Sequence, residues 1–105
     1  MSQRLNDDKH FLILLLNGNK DQSNALLDTI TKSQTLTLLE IFMNLYNLPV
    51  SNETKTLLKK RKRFFSLLCR KKGSLSGKKQ LIQRHRLQVL DTLMSVKQDL
   101  INLLS

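Results

Sequence analysis

The chain has 105 residues, a net charge of +10, 40% hydrophobic residues, one cysteine, one proline and no tryptophan. That length fits one small domain able to bury a modest core without disulfide or metal staples. The apolar fraction excludes a wholly disordered basic tail, and the lone cysteine excludes an intramolecular disulfide. Leu and Ile dominate while aromatics reach only 5%, a mixture that favours helices over strands.

In chain order, Asp7 or Asp8 is expected to cap a first short helix carrying Phe11, Leu12, Leu14, Leu15 and Leu16, with Asn17-Gly18 as a left-handed stop. The apolar run Phe11–Leu16 is too short for a signal core or a membrane span. An intracellular protein is expected, not a secreted one. Asp21 is expected to cap a second helix with Ala25, Leu26, Leu27 and Ile30 on one face. Thr31-Lys-Ser-Gln34 matches a capping box, in which the Thr hydroxyl accepts from the amide three residues on and the Gln side chain reaches back. A third helix follows to about Tyr46, with Leu38, Leu39, Ile41, Phe42, Leu45 and Tyr46 as a wide apolar face. Pro49 ends it, since proline disfavours helical geometry in the residue before it.

Ser51-Asn-Glu53 starts a fourth helix, with an acid in the first turn where the helix dipole favours it. Leu57, Leu58, Phe64, Phe65 and Leu68 form its apolar stripe, and Lys55, Lys59, Lys62 and Arg70 repeat with the same period on another face. Arg63 lies beside the basic stripe and Arg61 interrupts the apolar one. Gly73-Ser-Leu-Ser-Gly77 breaks this helix, and Ser76 is the expected cap of a last one running nearly to Leu104. Ile82, Val89, Leu93, Val96, Leu100 and Leu103 alternate in three-four spacing, the pattern of a packing seam. Leu90, Met94, Ile101 and Leu104 widen that face. The expected architecture is an all-α bundle of about five helices with a long C-terminal amphipathic helix, forming one domain over residues 1–105.

The charge is distributed as a block. Residues 1–54 hold four bases and six acids, residues 55–90 hold thirteen bases and no acid, and residues 91–105 hold one base and two acids. The domain therefore divides into a near-neutral helical half (1–54), a basic helix-turn-helix segment (55–90) and the end of the last helix (91–105). Such a block repels itself unless it meets a polyanion.

Catalytic signals are lacking. His10, His85 and Cys69 fall in three different predicted helices without metal-ligand spacing. The eight acids form no close pair suited to acid-base work. Gly73–Lys78 resembles a phosphate loop, but position 79 is Lys where Ser or Thr is required, and no strand precedes it. Cys69 reads as a small core residue in a reducing compartment. The expectation is a non-enzyme without metal or cofactor.

Clustered cations held on a folded surface bind phosphate backbones with little sequence preference, because each neutralised phosphate releases counterions. Lys55, Lys59, Lys60, Lys62, Arg63, Arg70, Lys71, Lys72, Lys78, Lys79, Arg84 and Arg86 are the candidate nucleic-acid contacts, with duplex DNA favoured. Lys59–Arg63 also fits a nuclear-import signal, and Phe64 and Phe65 read as core more readily than as platforms for bases. Two other readings stand beside this one. The apolar helix faces suit a protein-interaction module, including a homodimer through the seam Ile82, Val89, Leu93, Val96, Leu100 and Leu103. The last helix also suits an anionic membrane surface.

The stretches GNKDQSNALLDTITKSQTLTLLEIFMNLY (Gly18–Tyr46) and CRKKGSLSGKKQLIQ (Cys69–Gln83) resemble small basic proteins encoded beside capsid genes in Polinton or adintovirus-like elements. The matching features are Gly18, Gln22, Ala25-Leu-Leu27, Thr29-Ile-Thr31, Gln34, Glu40-Ile41 and Asn44-Leu45, then Lys72, Ser74-Leu75, Lys78-Lys79 and Leu81-Ile-Gln83, within roughly residues 11–83. The resemblance implies a virion-associated protein, by analogy with adenovirus core proteins that neutralise packaged DNA, in the nucleus or the virion. It assigns no functional residues. Those relatives end in a Gly-rich apolar tail where this chain has an amphipathic helix, so oligomerisation and membrane contact stay open.

Overall fold

The computed structural model describes residues 3–47, 49–70 and 73–104. Among these residues every regular element is helical: α1 (Gln3–Asp7), α2 (Lys9–Asn17), α3 (Lys20–Asp28), α4 (Lys32–Asn47), α5 (Asn52–Lys60), α6 (Lys62–Cys69), α7 (Leu75–Arg84), α8 (Arg86–Ser95) and α9 (Lys97–Leu104). The all-α expectation holds, but the expected count of about five is corrected to nine among the described residues. Stretches that read as single helices are jointed. Asp8, Arg61, His85 and Val96 each join two helices with φ between −108° and −99° and ψ between 11° and 34°. Backbone bonding continues through the joints. His85 N–H donates to the Leu81 carbonyl at 3.0 Å and Val89 N–H to the His85 carbonyl at 3.1 Å.

The expected long C-terminal helix is corrected in the same way, to α7, α8 and α9. A straight helix over Leu75–Leu104 would run about 45 Å at 1.5 Å per residue. The longest extent of the molecule is 32 Å. Bending at His85 and Val96 keeps the apolar positions of this segment on one core.

Local chemistry sets the helix starts. Thr31 and Gln34 form the expected box, Gln34 N–H to Thr31 Oγ1 at 3.1 Å and Thr31 N–H to Gln34 Oε1 at 3.0 Å. Asn19, not Asp21, caps α3, through the same reciprocal pair with Gln22 at 2.8 and 3.0 Å. Ser51 caps α5, accepting from Thr54 N–H at 3.2 Å. Ser74, not Ser76, caps α7, accepting from Gly77 N–H at 3.0 Å. Gly73 supplies the reversal before it with φ 105°, a value that favours glycine. Gly18 is not the expected left-handed stop: its φ is −71°. Glycine is needed there because a Cβ would stand 2.8 Å from the Leu14 carbonyl that its own N–H bonds. Asp8 makes no cap bond. Its carboxylate accepts from the hydroxyls of Ser33 at 3.0 Å and Thr37 at 2.6 Å, tying the start of α2 to α4.

The longest helix, α4, packs against α1, α6 and α7. It buries Leu38, Leu39, Ile41, Phe42 and Leu45. Phe65 of α6 is fully buried against it, with its ring 4.5 Å from Phe42 and 6.3 Å from Tyr46. The buried hydroxyls of Ser23, Thr35 and Thr92 donate to the carbonyls of Leu15, Thr31 and Gln88, and Thr54 donates to Asp99. No buried hydroxyl among these is left without a partner.

The seam residues Ile82, Val89, Leu93, Val96 and Leu100 are at most 2% exposed within a single chain. They form the protein's own core rather than an exposed dimer seam, because α7 packs against α4 and α6 while α8 packs against α3. The side chain of Leu103 lies outside the described residues.

Tyr46 donates its hydroxyl to the Leu58 carbonyl at 2.8 Å and so links α4 to α5. Burial, and next the nearby Cys69 thiolate charge, push the Tyr46 phenol up from 10.0 to about 12. A raised folded-state value holds the proton more tightly in the folded chain, so this contribution to stability is complete below the unfolded value near pH 10. It is lost as pH rises from there toward about 12. Tyr46 is the only tyrosine and the chain has no tryptophan, so tyrosinate absorbance reports it alone. The expected titration midpoint in the folded protein lies well above that of the urea-unfolded chain. Equal midpoints would reject the burial of the Tyr46 phenol in the folded chain.

Candidate nucleic-acid interface

The basic segment folds back on itself as a helical hairpin. Arg61 Nη1 donates to the Gln88 carbonyl at 3.3 Å, the ring of Phe64 lies 5.2 Å from that of His85, and Lys78 Nζ donates to the Arg70 carbonyl at 2.5 Å. Partner numbers fall as residue numbers rise, so α6 runs antiparallel to α7 and the start of α8. The turn at Gly73 and Ser74 thus brings Lys78 against Arg70.

Along α5 and α6 the inward positions are Thr54, Leu58, Phe65 and Leu68, all buried. Lys55, Lys59, Lys62 and Arg70 recur at three, four and eight residues on the outward side and are exposed, as are Lys60 and Arg63. At about 1.5 Å per residue this row spans about 20 Å. Lys78 and Lys79 are half-buried at the start of α7, and Arg84 is exposed at its end. Lys71 and Lys72 lie outside the described residues.

Two cations of the block have a different task. Arg61 occupies a position on the inward side, only 21% exposed, with Nη2 2.5 Å from the Asp91 carboxylate. It is the residue that interrupts the apolar stripe in sequence, and it does so to hold α8. Arg86 is paired with Asp28 at 2.5 Å, so its place among the twelve candidate contacts is weakened: its charge is already answered within the chain. Gln83 stands beside that pair and donates to the Leu27 and Asp28 carbonyls at 3.1 and 3.0 Å, capping the end of α3. Among the described residues, ion pairs in the basic block reach only Arg61 and Arg86. Neither pairing had a local sequence signal, since the partners lie 30 and 58 positions away.

Arg61→Gln is therefore expected to lower stability by about 1–3 kcal/mol, through the exposed end of a partly buried pair and the lost carbonyl contact. Lys60→Gln, four-square on the surface, should change stability by less than about 0.5 kcal/mol. Urea denaturation compares them, and equal effects would remove the structural role given to Arg61.

Phe64 and Phe65 offer no platform for bases. Phe65 is fully buried and Phe64 is half-buried between the rings of Phe65, at 5.1 Å, and His85. Cys69 is half-buried, and burial pushes its thiol up, with the Lys78 ammonium opposing. A thiol held in that state is a poor nucleophile. Among the described residues, no three His, Cys, Asp or Glu side chains gather to hold a metal ion. No helix among them is long and apolar enough to cross a membrane. The outward face of α5 and α6 is exposed and cationic. Comparison with protein-family models, curated proteins and solved structures returns no match.

Proposed function

We propose that this protein binds nucleic acid through its phosphate backbone, duplex DNA foremost, with little dependence on base sequence. The observation that carries the reading is the exposed row Lys55, Lys59, Lys62 and Arg70, flanked by Lys60 and Arg63, which has no ion pair among the described residues. A surface of uncompensated like charge costs folding free energy, and a polyanion relieves that cost. Lys78 and Lys79 lie near the start of the antiparallel helix, where Lys78 meets Arg70, so a backbone meets cations on two helices. The burial of Phe65 and the packing of Phe64 between Phe65 and His85 fit contact with phosphates rather than bases. Neutralisation of packaged DNA, in the nucleus or in a virion core, is the setting we propose for it, in keeping with the resemblance of Gly18–Tyr46 and Cys69–Gln83.

The test is one set of salt titrations against a DNA duplex, an RNA duplex and anionic liposomes. Binding to the DNA duplex that weakens steeply and linearly in log salt, equally for unrelated base sequences, supports the proposal. Stronger binding to liposomes or to RNA at every salt concentration would reassign the surface.

A further inference from the structure

We propose that the groove along α8 docks a short amphipathic helix of a partner protein, one that carries acidic residues beside its apolar stripe. On α8, Leu87 is 62% and Met94 48% exposed, while Leu90 between them is 8% exposed. Spacings of three and four place all three on one face, so a ridge of large apolar side chains borders solvent with a closed floor beneath it. The groove they line has a volume of about 650 Å³ and is closed on its other side by Gly18 and Lys20, where α2 turns into α3. A second depression of about 600 Å³ lies at Arg84, His85 and Arg86 and shares Leu87 and Gln88 with the first. The two depressions adjoin at Leu87 and Gln88, on the first turn of α8.

Charge decides the occupant. Of the cations along the groove, Lys20 and Arg84 have no ion pair among the described residues, while Arg61 and Arg86 are answered by Asp91 and Asp28. A second copy of this chain would bring a net charge of +10 to a cationic wall. A nucleic acid would set phosphates against Leu87 and Met94. An acidic amphipathic helix satisfies both parts, with apolar side chains seated on the ridge and carboxylates toward Arg84 and Lys20. This site uses a different face from the Lys55–Arg70 row, and it stands or falls independently of nucleic-acid binding.

The experiment pans a random library of peptides about 16 residues long, roughly four helical turns, against the whole chain. The double variant Leu87→Ser, Met94→Ser is measured in parallel. Both side chains are exposed, and unchanged helicity by circular dichroism confirms that the variant folds. Enriched peptides are expected to combine Leu, Ile or Met at three-four spacing with Asp or Glu, and to bind the variant at least about tenfold more weakly. Duplex DNA affinity of that variant should stay unchanged, whereas a Lys55, Lys59, Lys62 to Gln variant should lose DNA and keep peptide. Enrichment of acidic peptides without apolar spacing, no enrichment at all, or equal binding to the double variant would overturn the proposal. So would sedimentation showing a dimer that the double variant abolishes, since the ridge would then belong to a second copy.

Discussion

Phe65→Ala should destabilise the chain by about 3–5 kcal/mol, the range for emptying a fully buried aromatic position. Small domains are stable by only about 5–15 kcal/mol, so the variant should stand close to unfolding at room temperature. The reason lies in what the ring touches. Phe65 has no exposed surface, lies 4.5 Å from Phe42 at the centre of α4, and contacts the rings of Phe64 and Tyr46. Phe64→Ala removes a ring of the same size from a half-buried position and should cost clearly less. Urea midpoints of the two variants decide the register of α6. If Phe64→Ala proves the more damaging, α6 is rotated and the outward row of cations is misassigned with it.

The choice between Phe64 and Phe65 also marks where sequence reading stops. Both fall on the apolar stripe by spacing, and only packing against Phe42 separates them. Signals confined to three or four residues were legible: the Thr31–Gln34 box, the start at Ser51 and the end before Pro49 all occur as the local chemistry demands. Where two caps competed, the spacing alone misled. Asn19 and Ser74 each form the bond that Asp21 and Ser76 were expected to make, because the amide three residues on lies within their reach. The apolar face of Ile82–Leu100 was legible as a face, yet periodicity does not say whether a face meets its own chain or another. Here the joints at His85 and Val96 fold it inward. Those joints carry no breaker residue. They follow from fitting about 45 Å of helix into a molecule 32 Å long, a constraint that no window of sequence contains. The basic row was legible as a stripe. The withdrawal of Arg61 and Arg86 into ion pairs was not, since Asp91 and Asp28 reach them only through tertiary structure.

Charge placement, rather than charge total, should govern binding to DNA. Replacing Lys55, Lys59 and Lys62 by Gln removes three exposed cations from one row, and replacing Lys9, Lys20 and Lys32 removes three exposed cations elsewhere. Both variants carry the same net charge. If the row is the site, six contacts from Lys55, Lys59, Lys62, Arg63, Arg70 and Lys79 give a log-log salt slope of roughly 0.9 each, and affinity falls about 10³-fold between about 50 and 200 mM salt. The row variant should lose roughly 0.9 of slope per residue replaced and bind at low salt far more weakly, with helicity intact because no core side chain changes. The other variant should keep nearly the full slope, since distant exposed charges are screened within a Debye length of about 10 Å. Equal losses would mean that net charge alone drives binding and that the fold builds no site. Retention of the full slope by both would remove DNA as the partner of this surface. The intermediate outcome is informative too: a row variant that loses one contact's worth of slope would place only part of Lys55, Lys59 and Lys62 on the backbone, with the contact centred on Arg70 and Lys79 where α6 meets α7.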